Sequence, residues 1–151
     1  MAHIHELIDF VVSAYIVHDG KVLLVHHKKL NTWPPVGGHV ELDEDTDTAL
    51  IREIEEEAGL MKEDLEFIDK RPAITDTKFL LTPQYVDIHR FNDVHRYLCM
   101  NYFVRARTGK IKHNVEEHNS IKWFSEKELE DGVPSNVVFL SKEAIKTLNS
   151  M

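Results

Sequence analysis

Cysteine is almost absent from this chain, which has one, Cys99, among 151 residues. A single cysteine cannot form an intrachain disulfide, and such a composition is typical of proteins from a reducing compartment. Apolar residues flank Cys99, so we predict a buried and unreactive thiol. Together with the ten histidines, this cysteine gives no spacing typical of a zinc site.

Long apolar runs are also missing. The longest, residues 10–17, is interrupted by Ser13, and it is far shorter than the roughly 20 residues that span a bilayer. The first residues contain no basic region followed by an apolar core, so we expect no signal peptide. We therefore predict a cytoplasmic protein that does not enter membranes.

Positive charge is scarce as well. The formal net charge is −8, and the chain has no basic stripe, which disfavours nucleic-acid polymers and anionic membranes as partners. A P-loop lysine motif is absent too. Residues 41–66 hold twelve acids and two bases, whereas the rest of the chain carries about +2. This local excess of acids indicates a cation site, and an anionic substrate would need metal to offset its charge.

The length predicts a single domain, residues 1–151, with its own core. Residues 10–17 and 22–26 predict two strands joined by a turn at Asp19-Gly20, and residues 46–58 predict a helix. The other predicted elements are strands at 36–42, 65–74, 85–90, 96–107 and 121–124, a short helix at 126–130 and a final helix at 141–149. This order favours the α+β (mixed α/β) class with a mixed β-sheet between helices.

The predicted helix at 46–58 carries three carboxylates at helical spacing, on Glu53, Glu56 and Glu57. Residues three and four apart share a helix face, and each like-charged pair there costs roughly 0.2–0.5 kcal/mol. A hard cation removes this repulsion, and carboxylate and carbonyl oxygens are the ligands that Mg²⁺ prefers. A different face carries the residues predicted to pack inward: Ile51, Ile54 and Ala58.

The residues around this helix fit a ligand site. Gly37 and Gly38 let the backbone approach a ligand closely, and Gly59 suits the left-handed position that ends a helix. Arg52 has two alternative partners, Glu44 across the turn and Glu53 beside it, and the spacing does not choose between them.

The segment from Gly38 to Leu60 resembles the signature of the Nudix hydrolases. That signature is Gly, five residues, Glu, seven residues, Arg-Glu-apolar-any-Glu-Glu-any-Gly-apolar. All its positions are filled here, by Gly38, Glu44, Arg52, Glu53, Ile54, Glu56, Glu57, Gly59 and Leu60. Two flanking positions depart from the common pattern, because Val36 stands in the Pro-Gly-Gly run and Asp43 precedes Glu44.

The resemblance implies a fold and a set of site residues. The fold is the Nudix α/β/α sandwich. Glu53, Glu57 and the backbone carbonyl of Gly37 are implied as ligands of Mg²⁺, with Mn²⁺ as an alternative, and Glu56 as a ligand of a second ion or of a bound water. Arg52 and Glu56 belong to the implied catalytic set.

The general base is left open by the resemblance. Glu53 orients or deprotonates the water in some members of the family. Others use a further glutamate before a Trp-Phe-Ser segment, which points here to Glu116 or Glu117, and we take Glu117 as the candidate.

The implied reaction is Mg²⁺-dependent hydrolysis of a diphosphate linkage in a nucleoside diphosphate joined to another group X. Nucleotide sugars, ADP-ribose-like compounds and nucleoside triphosphates all fit, and a homodimer is an implied oligomeric state. The main alternative is a non-catalytic, Nudix-like module that binds or senses a nucleotide. A plain acidic interaction domain is a third hypothesis.

Several histidines and aromatic residues are weaker candidates. His39 is expected beside the phosphate site, whereas His89 and His95 are expected at the surface. Three aromatic residues are candidates for stacking a base, although such residues more often pack in the core or in loops: Trp33, Phe79 and Tyr85.

Overall fold

The computed structural model of this protein describes residues 5–112 and 120–151. Its seven strands are β1 (Ile8–His18), β2 (Lys21–His26), β3 (Val36–His39), β4 (Leu65–Phe67), β5 (Tyr85–Arg90), β6 (Arg96–Ala106) and β7 (Ser120–Phe124). The two α-helices are α1 (Thr46–Ala58) and α2 (Ser135–Asn149), and short 3₁₀ turns cover Lys62–Asp64 and Glu126–Glu128. Within the described residues, no helix has the length and apolarity needed to cross a membrane.

The seven strands form one mixed sheet built around two long central strands, β1 and β6. These two run parallel, from the pair Ile8–Arg96 to the pair Val17–Arg105. The other edge of β1 is shared, because β3 pairs with its first half and β2 with its end. The other edge of β6 is shared in the same way by β5 and β4, and β7 lies outside β2. Every pairing except that of β1 with β6 is antiparallel, which confirms the predicted mixed sheet.

The sheet lies between the two helices, with a separate apolar layer on each face. Successive side chains of β1 alternate between the layers, so that Ile16 packs on the α1 side and Tyr15 on the α2 side. The α1 layer receives Ala49, Leu50, Ile54 and Ala58 from its helix. The α2 layer receives Val137, Leu140, Ala144, Ile145 and Leu148. This arrangement is the predicted α/β/α sandwich, and it explains why β1 is apolar on both faces.

Four predicted elements differ from those observed. The strand predicted at 65–74 ends at Phe67, because Asp69 accepts hydrogen bonds from the backbone and guanidinium of Arg71 and the following Pro72 cannot donate to a strand. The strand predicted at 36–42 ends at His39. The helix predicted at 126–130 is a 3₁₀ turn, although its capping box of Ser125 and Glu128 is present.

The final helix begins at Ser135 rather than at residue 141. A proline usually interrupts a helix, but Pro134 is the N-cap residue of this one, with a φ of −60°. A proline ring is compatible with the start of a helix, where no backbone N–H is required. The helix gains a turn that buries Val137 against the sheet.

Helix α1 has the predicted bounds, and it ends at the predicted glycine. Asp45 caps its first turn, and Gly59 ends it in the left-handed conformation at a φ of 68°. A Cβ at Gly59 would also lie 2.5 Å from the Cβ of Lys112, so the position excludes a side chain on two grounds. The inward face is formed by Leu50, Ile54 and Ala58, whereas Ile51, which we expected to pack inward, is only half-buried.

The cap of α1 leads to a first prediction. Asp45 Oδ1 accepts a hydrogen bond of 2.8 Å from the Thr48 N–H, and Oδ2 pairs with Lys78 Nζ at 2.6 Å. An Asp45→Ala variant should lose about 1 kcal/mol of the free energy of unfolding, because the first turn loses its acceptor. Asp45→Asn should keep most of that stability at neutral pH, since the amide oxygen can still accept.

The charge of Asp45 adds a pH dependence that urea unfolding can measure. The hydrogen bond from Lys78, and then that from Thr48, lowers the pKa of Asp45 from 3.8 to about 2. Because the pKa is lower in the folded state, the wild-type advantage over Asp45→Asn should be complete above pH 3.8 and should disappear as the pH falls toward about 2. An Asp45→Ala variant as stable as wild type would show that the cap contributes nothing.

Candidate functional site

The edge of β3 that faces α1 forms one wall of the site. The Val40 N–H donates to the Phe10 carbonyl on β1, and antiparallel pairs alternate, so Gly37 and His39 direct their backbone groups away from β1. Two hydrogen bonds agree with this. The Gly37 N–H donates to Glu57 Oε1 at 2.7 Å, and the His39 carbonyl accepts from Arg52 Nη2 at 3.0 Å.

Two glutamates of α1 lie against this edge of β3. Glu53 and Glu57 are one helical turn apart, and they are only 9% and 8% exposed. A Cβ at Gly38 would lie 2.5 Å from the carboxyl carbon of Glu53, and a Cβ at Gly37 would overlap the backbone of β1. Gly38 therefore lets the Glu53 carboxylate reach the strand, whereas Gly37 lets β3 lie close to β1.

Arg52 lies at the centre of the charged groups. It binds Glu44 with two hydrogen bonds, Nε to Oε2 at 2.6 Å and Nη2 to Oε1 at 2.8 Å. Its Nη1 donates to Glu53 at 2.9 Å and to Glu56 at 3.2 Å. Arg52 therefore binds both Glu44 and Glu53, the two partners between which the sequence does not decide. The hydrogen bonds with Glu44 raise the pKa of Arg52 and lower that of Glu44, so this pair stays ionised.

Glu56 differs from the other two helix glutamates. Its side chain is 48% exposed, and its carboxylate lies beside Arg52, whereas Glu53 and Glu57 face β3. The predicted common face therefore holds for Glu53 and Glu57, and Glu56 lies at its solvent side.

The donor set of this site fits a hard cation. Three carboxylates, those of Glu44, Glu53 and Glu56, surround one guanidinium, and the Glu57 carboxylate lies against the Gly37 N–H. Buried carboxylates are costly unless they are paired or bind metal, and the available donors are all oxygen atoms, which suits Mg²⁺ or Mn²⁺.

Comparison with known proteins agrees with the signature and the fold. The family model for the NUDIX domain matches residues 9–146. The chain belongs to the Nudix family. No curated protein matches it at a significant level.

Solved structures give the same result. A NUDIX-family hydrolase from Clostridium perfringens is 27% identical, with a TM-score of 0.80 over 93% of this chain and 97% of that one. A C. elegans Ap4A hydrolase is 18% identical, with a TM-score of 0.71 over 97% of this chain and 100% of that one. A UDP-X diphosphatase is 19% identical, with a TM-score of 0.64 over 98% of this chain and 66% of that one. The latter two likenesses concern the fold alone. With the family match and the hydrolase neighbours, this Nudix protein is a pyrophosphohydrolase.

A buried hydrogen-bond network of histidine and aspartate side chains links β3 to β1. Asp9 is fully buried, and its Oδ2 accepts from His39 Nε2 at 3.1 Å and from His95 Nε2 at 3.0 Å. Its Oδ1 accepts from the His5 N–H at 2.7 Å. His95 is 2% exposed, so the predicted surface position is wrong. The only indication of this network in the sequence is Asp9 itself, because it is an acid at the start of a strand that is buried on both faces.

The remaining candidates lie outside the site or outside the described residues. Glu116 and Glu117 fall in the segment 113–119, which is not described. Trp33 packs on Phe124 in the α2 layer, and Tyr85 packs on Phe103 of the same layer. Phe79 is 41% exposed. None of these three aromatic residues is placed against the carboxylates of α1 by the contacts that the structure describes.

Cys99 is buried, as predicted. Burial, and then the charge of Asp87, raises the pKa of its thiol to about 12. A thiol that stays protonated at neutral pH is a poor nucleophile, which agrees with an unreactive cysteine.

The contact between Gly38 and Glu53 gives a second prediction. In Gly38→Ala the new methyl group would displace the Glu53 carboxylate, which ends a flexible side chain, so the backbone can stay in place. We expect the free energy of unfolding to change by no more than about 1 kcal/mol. The affinity for Mn²⁺, measured by calorimetry, should fall at least about 10-fold. A folded variant with wild-type affinity for Mn²⁺ would contradict the role of this contact.

Proposed function

We propose that this pyrophosphohydrolase uses Mg²⁺, with Mn²⁺ as an alternative, to hydrolyse a diphosphate linkage in a nucleoside diphosphate joined to another group X. The domain is proposed to span residues 1–151. The observation that carries the proposal is the burial of the Glu53 and Glu57 carboxylates against the glycine edge of β3.

The ion would be held by Glu53, Glu57 and the backbone carbonyl of Gly37, with Glu56 at the exposed side for a second ion or a bound water. When bound, Mg²⁺ supplies two things, neutralisation of the phosphate charge and a lower pKa of the attacking water. The burial of Glu53 and Glu57 supports their role, because a carboxylate removed from bulk water binds a cation more strongly than an exposed one.

Arg52 is proposed to position the ligands. It holds Glu44 and Glu53 and also the His39 carbonyl, so it ties the loop, the helix and β3 together. Glu53 is proposed to orient the water or to accept its proton. Glu117 is the alternative general base.

The substrate class is proposed from the site and from the neighbours. The UDP-X diphosphatase and the Ap4A hydrolase are named for substrates in which a nucleoside carries a phosphoanhydride. Nucleotide sugars, ADP-ribose-like compounds and nucleoside triphosphates share that linkage. Their negative charge would be opposed by the acidic segment unless a cation lies between them.

Two further expectations belong to this proposal. A homodimer is supported by β5, which pairs only with β6 among the described strands and exposes Val86 and Ile88. A cytoplasmic location is supported by the single cysteine, because structural disulfides are the mark of oxidising compartments.

The test compares Glu53→Gln and Glu57→Gln with Glu55→Gln, which is an exposed neighbour on the same helix and lies outside the signature. Nucleotide or phosphate release from the three substrate classes should require Mg²⁺ and stop with a chelator. The first two variants should lose at least about 100-fold in turnover, because metal-site substitutions cost 10–100-fold even when they lie outside the ligand set. Glu55→Gln should match wild type.

Two results would overturn the proposal. Unchanged Mg²⁺-dependent rates in both Glu53→Gln and Glu57→Gln would remove these residues from the site. Tight nucleotide binding by the wild type without turnover of any substrate class would favour the non-catalytic sensor module.

A further inference from the structure

Three potential metal ligands meet on the face of the sheet opposite α1. In the pairing of β5 with β6, Asp87 lies directly opposite Cys99. His89 follows Asp87 by two residues, so both side chains leave β5 on the same face. One ligand atom from each of Asp87, His89 and Cys99 lies within 4.8 Å of the other two.

The face is fixed by neighbouring residues of the same strands. Phe103 and Cys99 are an even number of residues apart on β6, so their side chains lie on the same face of the sheet. Phe103 belongs to the α2 layer. Tyr85 and Asp87 are two residues apart on β5, so their side chains also lie on the same face. The Tyr85 hydroxyl donates to Glu143 of α2. The cluster is therefore separated by the sheet from Glu53 and Glu57.

The distances in the cluster suit a small tetrahedral ion. Asp87 Oδ1 and His89 Nε2 are 3.2 Å apart. Bonds of about 2.0–2.1 Å to a tetrahedral ion place two such ligands roughly 3.3 Å from each other. The carboxylate and the imidazole are thus already at the separation that shared coordination requires.

A buried oxygen gives independent support. Asp87 Oδ1 is shielded from solvent and has no partner with hydrogen-bond geometry among the described residues, whereas the Cys99 thiol lies within hydrogen-bond reach of the Asp87 carboxylate. The 3.2 Å approach of His89 lacks hydrogen-bond geometry. Buried polar atoms are nearly always satisfied, and an exception calls for an explanation such as an ion.

We propose that Asp87, His89 and Cys99 form a second metal site, for a transition ion such as Zn²⁺, with its fourth position open to water. The thiolate, imidazole and carboxylate donors are those of zinc sites, whereas Mg²⁺ does not take sulfur ligands. Binding releases the thiol proton. The ion would link β5 to β6, at a strand that pairs on one side only among the described strands.

This site could not be found from sequence spacing. Two ligands lie two residues apart, and the third lies ten residues beyond His89 across a hairpin. Local zinc motifs have other spacings, so the expectation that the histidines and the cysteine form no zinc pattern does not extend to the folded chain. The pairing register of β5 with β6 supplies the missing information.

The test is a titration of the metal-free protein with Co²⁺, followed by absorption spectroscopy. Cys99 is the only thiol, so a thiolate-to-cobalt charge-transfer band reports this site and cannot arise from the carboxylates of α1. The wild type should show a band that saturates at one equivalent. Zn²⁺ should abolish the band, and an excess of Mg²⁺ should leave it unchanged.

Variants distinguish a site of three ligands from metal binding by the thiol alone. Cys99→Ser should lose the band, and Asp87→Asn and His89→Gln should each bind Co²⁺ at least 10-fold more weakly. Arg90→Gln, on the same strand but with its side chain on the other face, and Glu57→Gln, in the signature, should bind as wild type does. The absence of a band in the wild type, or its displacement by Mg²⁺, would overturn the proposal. Undiminished Co²⁺ affinity in both Asp87→Asn and His89→Gln would overturn it as well.

Discussion

The close approach of α1 to β3 is the contact on which this Nudix site depends. Two carboxylates are removed from water there, which is costly unless hydrogen bonds or cations replace the lost solvent. The Gly37 N–H supplies a donor to Glu57, and Arg52 supplies one to Glu53. A side chain at this position of the strand would displace the carboxylate, because even a Cβ at Gly38 would overlap the Glu53 carboxylate.

Much of this arrangement could be predicted from sequence, because it is local. The glycine suited to a left-handed helix end and the apolar spacing predict α1 with the bounds that the structure has. The signature places its carboxylates relative to one another through helix geometry alone. The mixed sheet was also predicted, from the order of the strands and helices, whereas the sandwich was implied by the resemblance of the signature to that of the Nudix hydrolases.

What could not be predicted depends on contacts between residues distant in sequence. Asp9 binds His39 and His95, which lie 30 and 86 residues away in sequence, and nothing in the local pattern marks them as partners. The predicted start of α2 is too late because Pro134 precedes the observed start, and a proline disfavours a helix interior although it fits a helix start. Asp87, His89 and Cys99 meet only through the register of two strands.

The central claim is that the buried carboxylates of α1 and the glycine edge of β3 hold a divalent cation. Anomalous scattering from crystals grown with Mn²⁺ tests it most directly, because the peak locates the ion without reference to activity. The account predicts a peak within bonding distance, about 2.0–2.6 Å, of Glu53, Glu57 and the Gly37 carbonyl. Crystals in which Mn²⁺ is bound elsewhere, or in which these carboxylates turn to solvent with no peak between them and β3, would contradict it.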